Sequence, residues 1–375
     1  NMREKEKKYC YGMYTLMFLL MCMAAFLPFF IGGKNFVWGA GVEDGLSQHF
    51  SALAYYGELL REFVKNLIAG HPKLMMWNMS LGYGADVIAT LNYYAIGDSL
   101  NLLYGFVPVK YTEIMYNFMI LLRMYLAGIA FILYARKMKK RTYGTVIGAL
   151  AYVFCGFCFR LGLRHPFFLN PMIYFPLLCL GIEKIYQKQR PYLFIVMICV
   201  SAISNYYFFY MLTIFSVIYA WIRFYKYTEK DRIKNFFLTI LKFGGYYILG
   251  ICMAAVILIP SVIGFLGNGR YGSGTDWKTL LVYPGKYYLM FLENFVGYGN
   301  VGSNTNTGYL SIVGIVVLFT IFSRRMKHKK YRLAFLGSVV ALIFPIFGYV
   351  FNGLSYANNR WAFVLSFIVA LLTAE

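Results

Sequence analysis

The stretch Tyr11-Gly-Met-Tyr-Thr-Leu-Met-Phe-Leu-Leu-Met-Cys-Met-Ala-Ala-Phe-Leu-Pro-Phe-Phe-Ile31 decides the fold. No charge interrupts it, and it reaches the ~20 residues that a helix needs to cross the hydrocarbon core of a bilayer. Arg3, Lys5, Lys7 and Lys8 precede it. Basic residues beside a span mark its cytoplasmic end. The segment is too long for the apolar region of a cleaved leader and has no small-residue cleavage site, so it reads as a signal anchor.

The rest of the chain repeats this pattern. Of 375 residues, 60% are hydrophobic, 20% aromatic and only 14% charged, where a soluble domain has about 45–50% apolar residues. Mean hydropathy is +0.58. Further apolar runs cover residues 114–135, 145–159, 167–182, 236–259, 309–322 and 333–351. Most of the 36 Lys and Arg fall in short clusters between these runs. The net charge of +21 therefore reflects the positive-inside bias, and no nucleic-acid partner is expected. The expected fold is all-α, a polytopic transmembrane helix bundle with a cytoplasmic N-terminus.

Residues 192–223 are too long for one span, and basic residues flank them on both sides. Two helices meeting near Ser204-Asn205-Tyr206-Tyr207 keep both clusters inside. The polar apex then lies below the outer surface, which is suited to a lipid-borne substrate. Tyr206 to Tyr210 either pack or line such a site.

Residues 32–111 form the first external loop. Leu53, Tyr56, Leu59, Leu60, Phe63, Val64 and Leu67 recur at helical spacing, with Glu58, Arg61, Glu62 and Lys65 between them. This predicts an amphipathic juxtamembrane helix. Leu81-Gly-Tyr-Gly-Ala-Asp86 reads as a Gly-rich loop against the membrane and matches no nucleotide-binding motif. The run from Ala362 is too short to span. The chain is therefore expected to be the N-terminal transmembrane domain of a longer protein, with the first span at 1–31, the external loop at 32–111 and the remaining spans at 112–375. Cys155-Gly-Phe-Cys158 lacks a second pair and reads as small apolar membrane residues rather than a zinc site.

The chemistry centres on Glu43-Asp44-Gly45-Leu46-Ser47-Gln48-His49-Phe50. A carboxylate pair at a membrane boundary is costly unless solvated, paired or used. If a helix begins here, Asp44 and Gln48 share one face at i and i+4. Asp44 then serves as a base or metal ligand, or caps the following helix. Gln48 orients Asp44 or substrate. His49 with Asp44 and Glu43 offers a divalent-ion set, whereas His165, standing before a proline, is not expected to bind metal. Arg123, inside a span, either pairs structurally or binds an anion. Arg164, His165, Arg270 and Arg360 lie at outer boundaries, where they hold phosphate or contact headgroups.

A base beside an anion clamp suits transfer of a sugar from a polyprenyl-phosphate carrier. The carboxylate takes the proton of the attacking hydroxyl, and arginines hold the phosphate leaving group. A lipid or polymer flippase would instead show internal repeats and an ionisable chain across the membrane midplane. No repeat is evident. A non-catalytic scaffold would leave Asp44 and the arginines without a shared purpose.

Several motifs together carry a resemblance. They are Asp44-Gly-x-x-Gln48 after the first span, Leu81-Gly-Tyr-Gly84, and Gly162-Leu-Arg164-His165-Pro166-Phe-Phe-Leu-Asn-Pro171. To these are added Ser201-Ala-Ile-Ser-Asn205-Tyr-Tyr-Phe-Phe-Tyr210, Gly267-Asn-Gly-Arg270 and Asn359-Arg360-Trp361. The chain resembles the YfhO-like bacterial membrane proteins, a family similar to the GT-C superfamily of glycosyltransferases. The resemblance covers nearly the whole chain. It implies a multi-pass enzyme of the bacterial cell membrane with its active site on the outer face. A polyprenyl-phosphate sugar is the implied donor, and a cell-envelope polymer such as teichoic acid the implied acceptor. The catalytic acid of the first external loop falls on Asp44, with Glu43 the weaker candidate. A divalent metal is compatible with this chemistry but not required by it. Members of the family are longer than this chain.

Overall fold

The structure, a computed structural model, describes residues 2–39, 43–228, 231–267, 277–291, 293 and 329–375. The expected span at 309–322 and the candidate Arg270 lie outside these residues. Nearly every described segment is helical, because the apolar runs leave no water to satisfy backbone groups and the helix satisfies them internally. Among the described residues five helices are long and apolar enough to cross a membrane. The protein is a multi-pass membrane protein.

The anchor is helix α1 (Met2–Ile31), which incorporates the charged turns before it. The first loop is structured. Helix α2 (Ser51–Ile68) carries the expected amphipathic pattern and buries Ala52, Leu53 and Tyr56. These pack against a 3-10 helix, Ser99–Phe106. Val64, Leu67 and Ile68, at the far end of α2, remain exposed. The glycine-rich 81–84 segment is the turn of a small antiparallel hairpin pairing Trp77 with Asp86 and Asn78 with Ala85. The hairpin leads into the short helix α3 (Val87–Leu91), capped by the Asp86 carboxylate, which accepts from the Ala89 amide at 2.7 Å.

Helix α4 (Thr112–Lys137) crosses next. It is followed by α5 (Thr142–Val153), α6 (Asn170–Tyr186), α7 (Tyr192–Ser204), α8 (Tyr206–Tyr227) and α9 (Arg232–Gly267). The centre of the bundle is α6, which packs on α4, α7 and α8. Within the most apolar 18-residue window of each, 89% of the Pro166–Tyr186 span is buried inside the protein and only 17% of Arg232–Leu266. The last helix, Phe363–Thr373, lies buried against α5 and α6.

Asn205 makes the predicted helix pair. It is extended (φ −165°, ψ 114°), and its side-chain oxygen caps α8 by accepting from the amides of Tyr207 and Phe208 at 3.1 and 3.2 Å. Its amide nitrogen donates to the Tyr93 carbonyl at 3.0 Å, tying the apex to the first loop.

Three span boundaries differ from expectation. The 145–159 run stops being α-helical at Val153, and the chain then winds into a π-helical turn at Cys158–Gly162. The 236–259 run does not end at Pro260. Helix α9 continues through it to Gly267, since a membrane helix tolerates one missing backbone donor. The 333–351 run is broken into Lys329–Ile343 and Pro345–Phe351, bent by 99°. Proline disfavours the α conformation at the preceding residue, and at this break Phe344 is extended at ψ 120°.

Candidate active site

After α1 the chain is tied to the first turns of α4. Asn35 donates to the Glu113 carboxylate at 2.8 Å, and the Phe36 amide donates to the Asn117 side chain at 2.8 Å. This brings Trp38 under the acidic stretch, where its carbonyl accepts from the Leu46 amide at 3.1 Å. The approach explains the glycine of the Asp-Gly pair. A Cβ on Gly45 would lie 2.2 Å from the Trp38 carbonyl oxygen.

Gly45–Phe50 is a π-helical turn that runs directly into α2. The expected shared face is present, since Gln48 donates its side-chain amide to Asp44 Oδ1 at 2.8 Å. The capping alternative for Asp44 is not realised, for its carboxylate accepts no backbone amide at the helix start. Glu43 is exposed, and its contribution to the turn is its carbonyl, which accepts from the Ser47 amide and hydroxyl at 3.1 and 2.7 Å.

Two π-helical turns set the two histidines. The first directs His49 inward, where it is 3% exposed. The second, Cys158–Gly162, precedes His165, whose amide donates to the Leu161 carbonyl at 2.8 Å. Such turns are rare and recur at functional sites. His49 Nε2 and His165 Nδ1 face each other at 2.7 Å. One ligating atom from each of Asp44, His49 and His165 lies within 4.8 Å of the others. The ion set expected from Asp44, His49 and Glu43 differs from the group that the fold brings together. His165, which sequence reasoning discounted, takes the place given to Glu43.

Aromatic rings enclose the imidazoles. Tyr94 and Phe167 each stand 5.3 Å from the His49 ring, and Phe168 stacks on His165 at 4.8 Å. Burial lowers the His49 pKa to about 4. His165 falls to about 3 through burial first, then through its neighbours His49, Arg360 and Arg164. Both rings are therefore neutral near pH 7. The Nδ1 of His49 is buried without a hydrogen-bond partner. An N–H there would be unsatisfied, so we assign the proton to Nε2, which donates to His165 Nδ1.

Two cations border this cluster. The Arg164 guanidinium lies over the Trp38 ring at 4.3 Å and is exposed. Arg360 lies over Phe168, Tyr207 and Tyr356 at 5.5, 5.7 and 5.9 Å. Its neighbour Trp361 is buried and donates to Asn359 Oδ1 at 3.1 Å, which fixes the backbone that carries Arg360.

Arg123 belongs elsewhere. Its guanidinium, 1% exposed, donates to Asp98 at 2.7 Å, Asn101 at 2.6 Å and Asn170 at 2.9 Å. Asn170 in turn donates to Asp98 at 2.7 Å. Of the two roles open to Arg123, the structure displays the pairing one. Asp44, Gln48, His49, Arg164, His165 and Arg360 are brought together, and Arg123 and Glu43 are not part of that group. Trp38, Tyr94 and Phe168 were missed. The sequence signals were the placement of Trp38 just ahead of the acidic pair and that of Phe168 inside the Gly162–Pro171 motif.

The family model described as bacterial membrane protein YfhO matches residues 13–375. A protein of Bacillus subtilis (strain 168) described as "Uncharacterized protein YfhO" is 29% identical over 239 residues, 62% of this chain. The matched region is 25% of that protein, so the chain spans about a quarter of its length. No solved structure matches the chain.

Proposed function

The chain belongs to the YfhO family of bacterial membrane proteins, and from that premise we propose that it is a membrane glycosyltransferase of the GT-C kind. The donor is a monosaccharide on a polyprenyl phosphate, and the acceptor is a cell-envelope polymer such as teichoic acid at the outer face of the membrane. Asp44 takes the proton of an acceptor hydroxyl as its oxygen attacks the anomeric carbon. The bond from that carbon to the phosphate oxygen breaks with inversion, and polyprenyl phosphate leaves. Arg164, Arg360 and His165 hold the departing phosphate, with Arg270 as a further phosphate ligand, while Gln48 and His49 orient Asp44 and the sugar. Guanidinium groups suit a phosphate through paired donors.

The observation that carries this reading is the meeting of a Gln48-oriented carboxylate with Arg164, Arg360 and two neutral imidazoles in one aromatic-walled group. The buried charges also support it over transport. Among the described residues Asp98 with Arg123, and Glu183 with Arg223, are closed pairs rather than a relay. Glu183 further accepts from the Tyr219 and Tyr227 hydroxyls at 2.7 and 2.8 Å.

The test is a transfer assay in membranes with a labelled polyprenyl-phosphate sugar and candidate envelope acceptors. Asp44→Asn is expected to lower transfer by about 10²–10⁴-fold with expression unchanged. Full transfer by that variant would sink the reading. Movement of the label across sealed vesicles without transfer would favour a flippase.

A further inference from the structure

We propose that Asp44, His49 and His165 form a three-ligand site for a zinc-like divalent transition metal, with its remaining position open to an anionic oxygen. The ligand set is two imidazole nitrogens and one carboxylate oxygen, the mixture found where a zinc ion keeps a position for water or substrate. The three atoms already lie within 4.8 Å of one another. Zinc bonds of ~2.0–2.2 Å need these atoms a little over 3 Å apart. His49 Nε2 and His165 Nδ1, now 2.7 Å apart, would therefore separate by roughly half an ångström. Asp44 would close towards them.

The surroundings favour such a site. Gln48 holds Asp44 Oδ1 at 2.8 Å, the kind of outer contact that orients a ligating carboxylate. The stacked Phe168 and the edge of Phe167 restrain the rings. Metal on Nε2 moves the His49 proton to Nδ1, so the ring stays neutral; that N–H is buried without a partner, a cost the metal bonds have to exceed. One carboxylate against a doubly charged ion leaves a net positive centre, and Arg164 and Arg360 add to it. The open position therefore takes an anion, and on the proposed function above, on which this last step rests, that anion is the phosphate of the lipid-linked donor.

The full chain in detergent, stripped with a chelator, is titrated with Co2+ and with Zn2+, reading visible absorption and bound metal per chain. One equivalent is expected. His49→Gln and His165→Gln are expected to weaken uptake by tenfold to a hundredfold or more, and Glu43→Gln to leave it unchanged. His165→Cys keeps a ligand while removing the histidine pair. It is expected to retain the ion and to add a thiolate-to-cobalt absorption band, which separates a lost ligand from a misfolded variant. No stoichiometric uptake, or uptake indifferent to both glutamine variants, overturns the proposal. Metal uptake without sugar transfer leaves the site standing and removes the transferase reading. Transfer by a metal-free, chelator-insensitive protein leaves the transferase reading standing and overturns the ion's role in holding the donor phosphate.

Discussion

Gln48 reaches back one turn to Asp44 and holds one carboxylate oxygen at 2.8 Å. Removing the base by Asp44→Asn is expected to lower kcat by about 10²–10⁴-fold. Gln48→Leu leaves the carboxylate but frees its orientation, so a smaller loss of roughly 10–100-fold follows. Initial rates with the labelled donor separate the two. Equal losses would show that Gln48 acts on substrate itself.

Gly45→Ala introduces a methyl group against the Trp38 carbonyl, at 2.2 Å before relaxation. Forced overpacking of this kind costs about 1–3 kcal/mol. The expected result is a lower melting temperature together with weakened activity, because Trp38 and Asp44 move apart. Leu46→Ala, at an exposed neighbouring side chain, is the control and should be near neutral in a thermal unfolding assay.

Arg123→Met strands the buried Asp98 carboxylate, and breaking one side of a buried pair costs about 3–5 kcal/mol. Asp98→Asn in the same background should recover much of the loss. Thermal melts of the single and double variants measure the coupling. A fully active, fully stable Arg123→Met would show that the pair is dispensable.

His49 and His165 have folded pKa values of about 4 and about 3, below the ordinary 6.5. Between these values and 6.5 the unfolded chain binds more protons than the folded one. Stability is therefore full above about pH 6.5 and declines as pH falls towards 4. Melts of chelator-treated protein from pH 7.5 down to 4.5 should show this decline. The double variant His49→Gln, His165→Gln should flatten it in that window.

Much of the fold was legible because its signals are local. The apolar run of α1, the helical spacing from Leu53 to Leu67 and the basic residues on both sides of 192–223 each act over a few turns. The Asp44–Gln48 pair was legible for the same reason. The histidine pair was not, since its members are 116 positions apart and meet only in the folded chain. Arg123 announced a buried charge, but only the folded loop selects Asp98 from among the loop carboxylates. The break at Phe344–Pro345 was written in the sequence as a proline and was masked by the apolar residues around it.

A π-helical turn takes in one more residue than an α turn, so everything after it is rotated about the helix axis by the share of one residue, roughly 100°. At Gly45–Phe50 this sets two angular phases in one continuous rod. The inward side of the turn shows His49 to its counterpart, while the apolar stripe of α2 faces the Ser99–Phe106 helix. An uninterrupted α-helix would have had to choose between those directions. Deleting one residue from the turn would thus leave composition and length nearly intact and yet swing the histidine away from its partner.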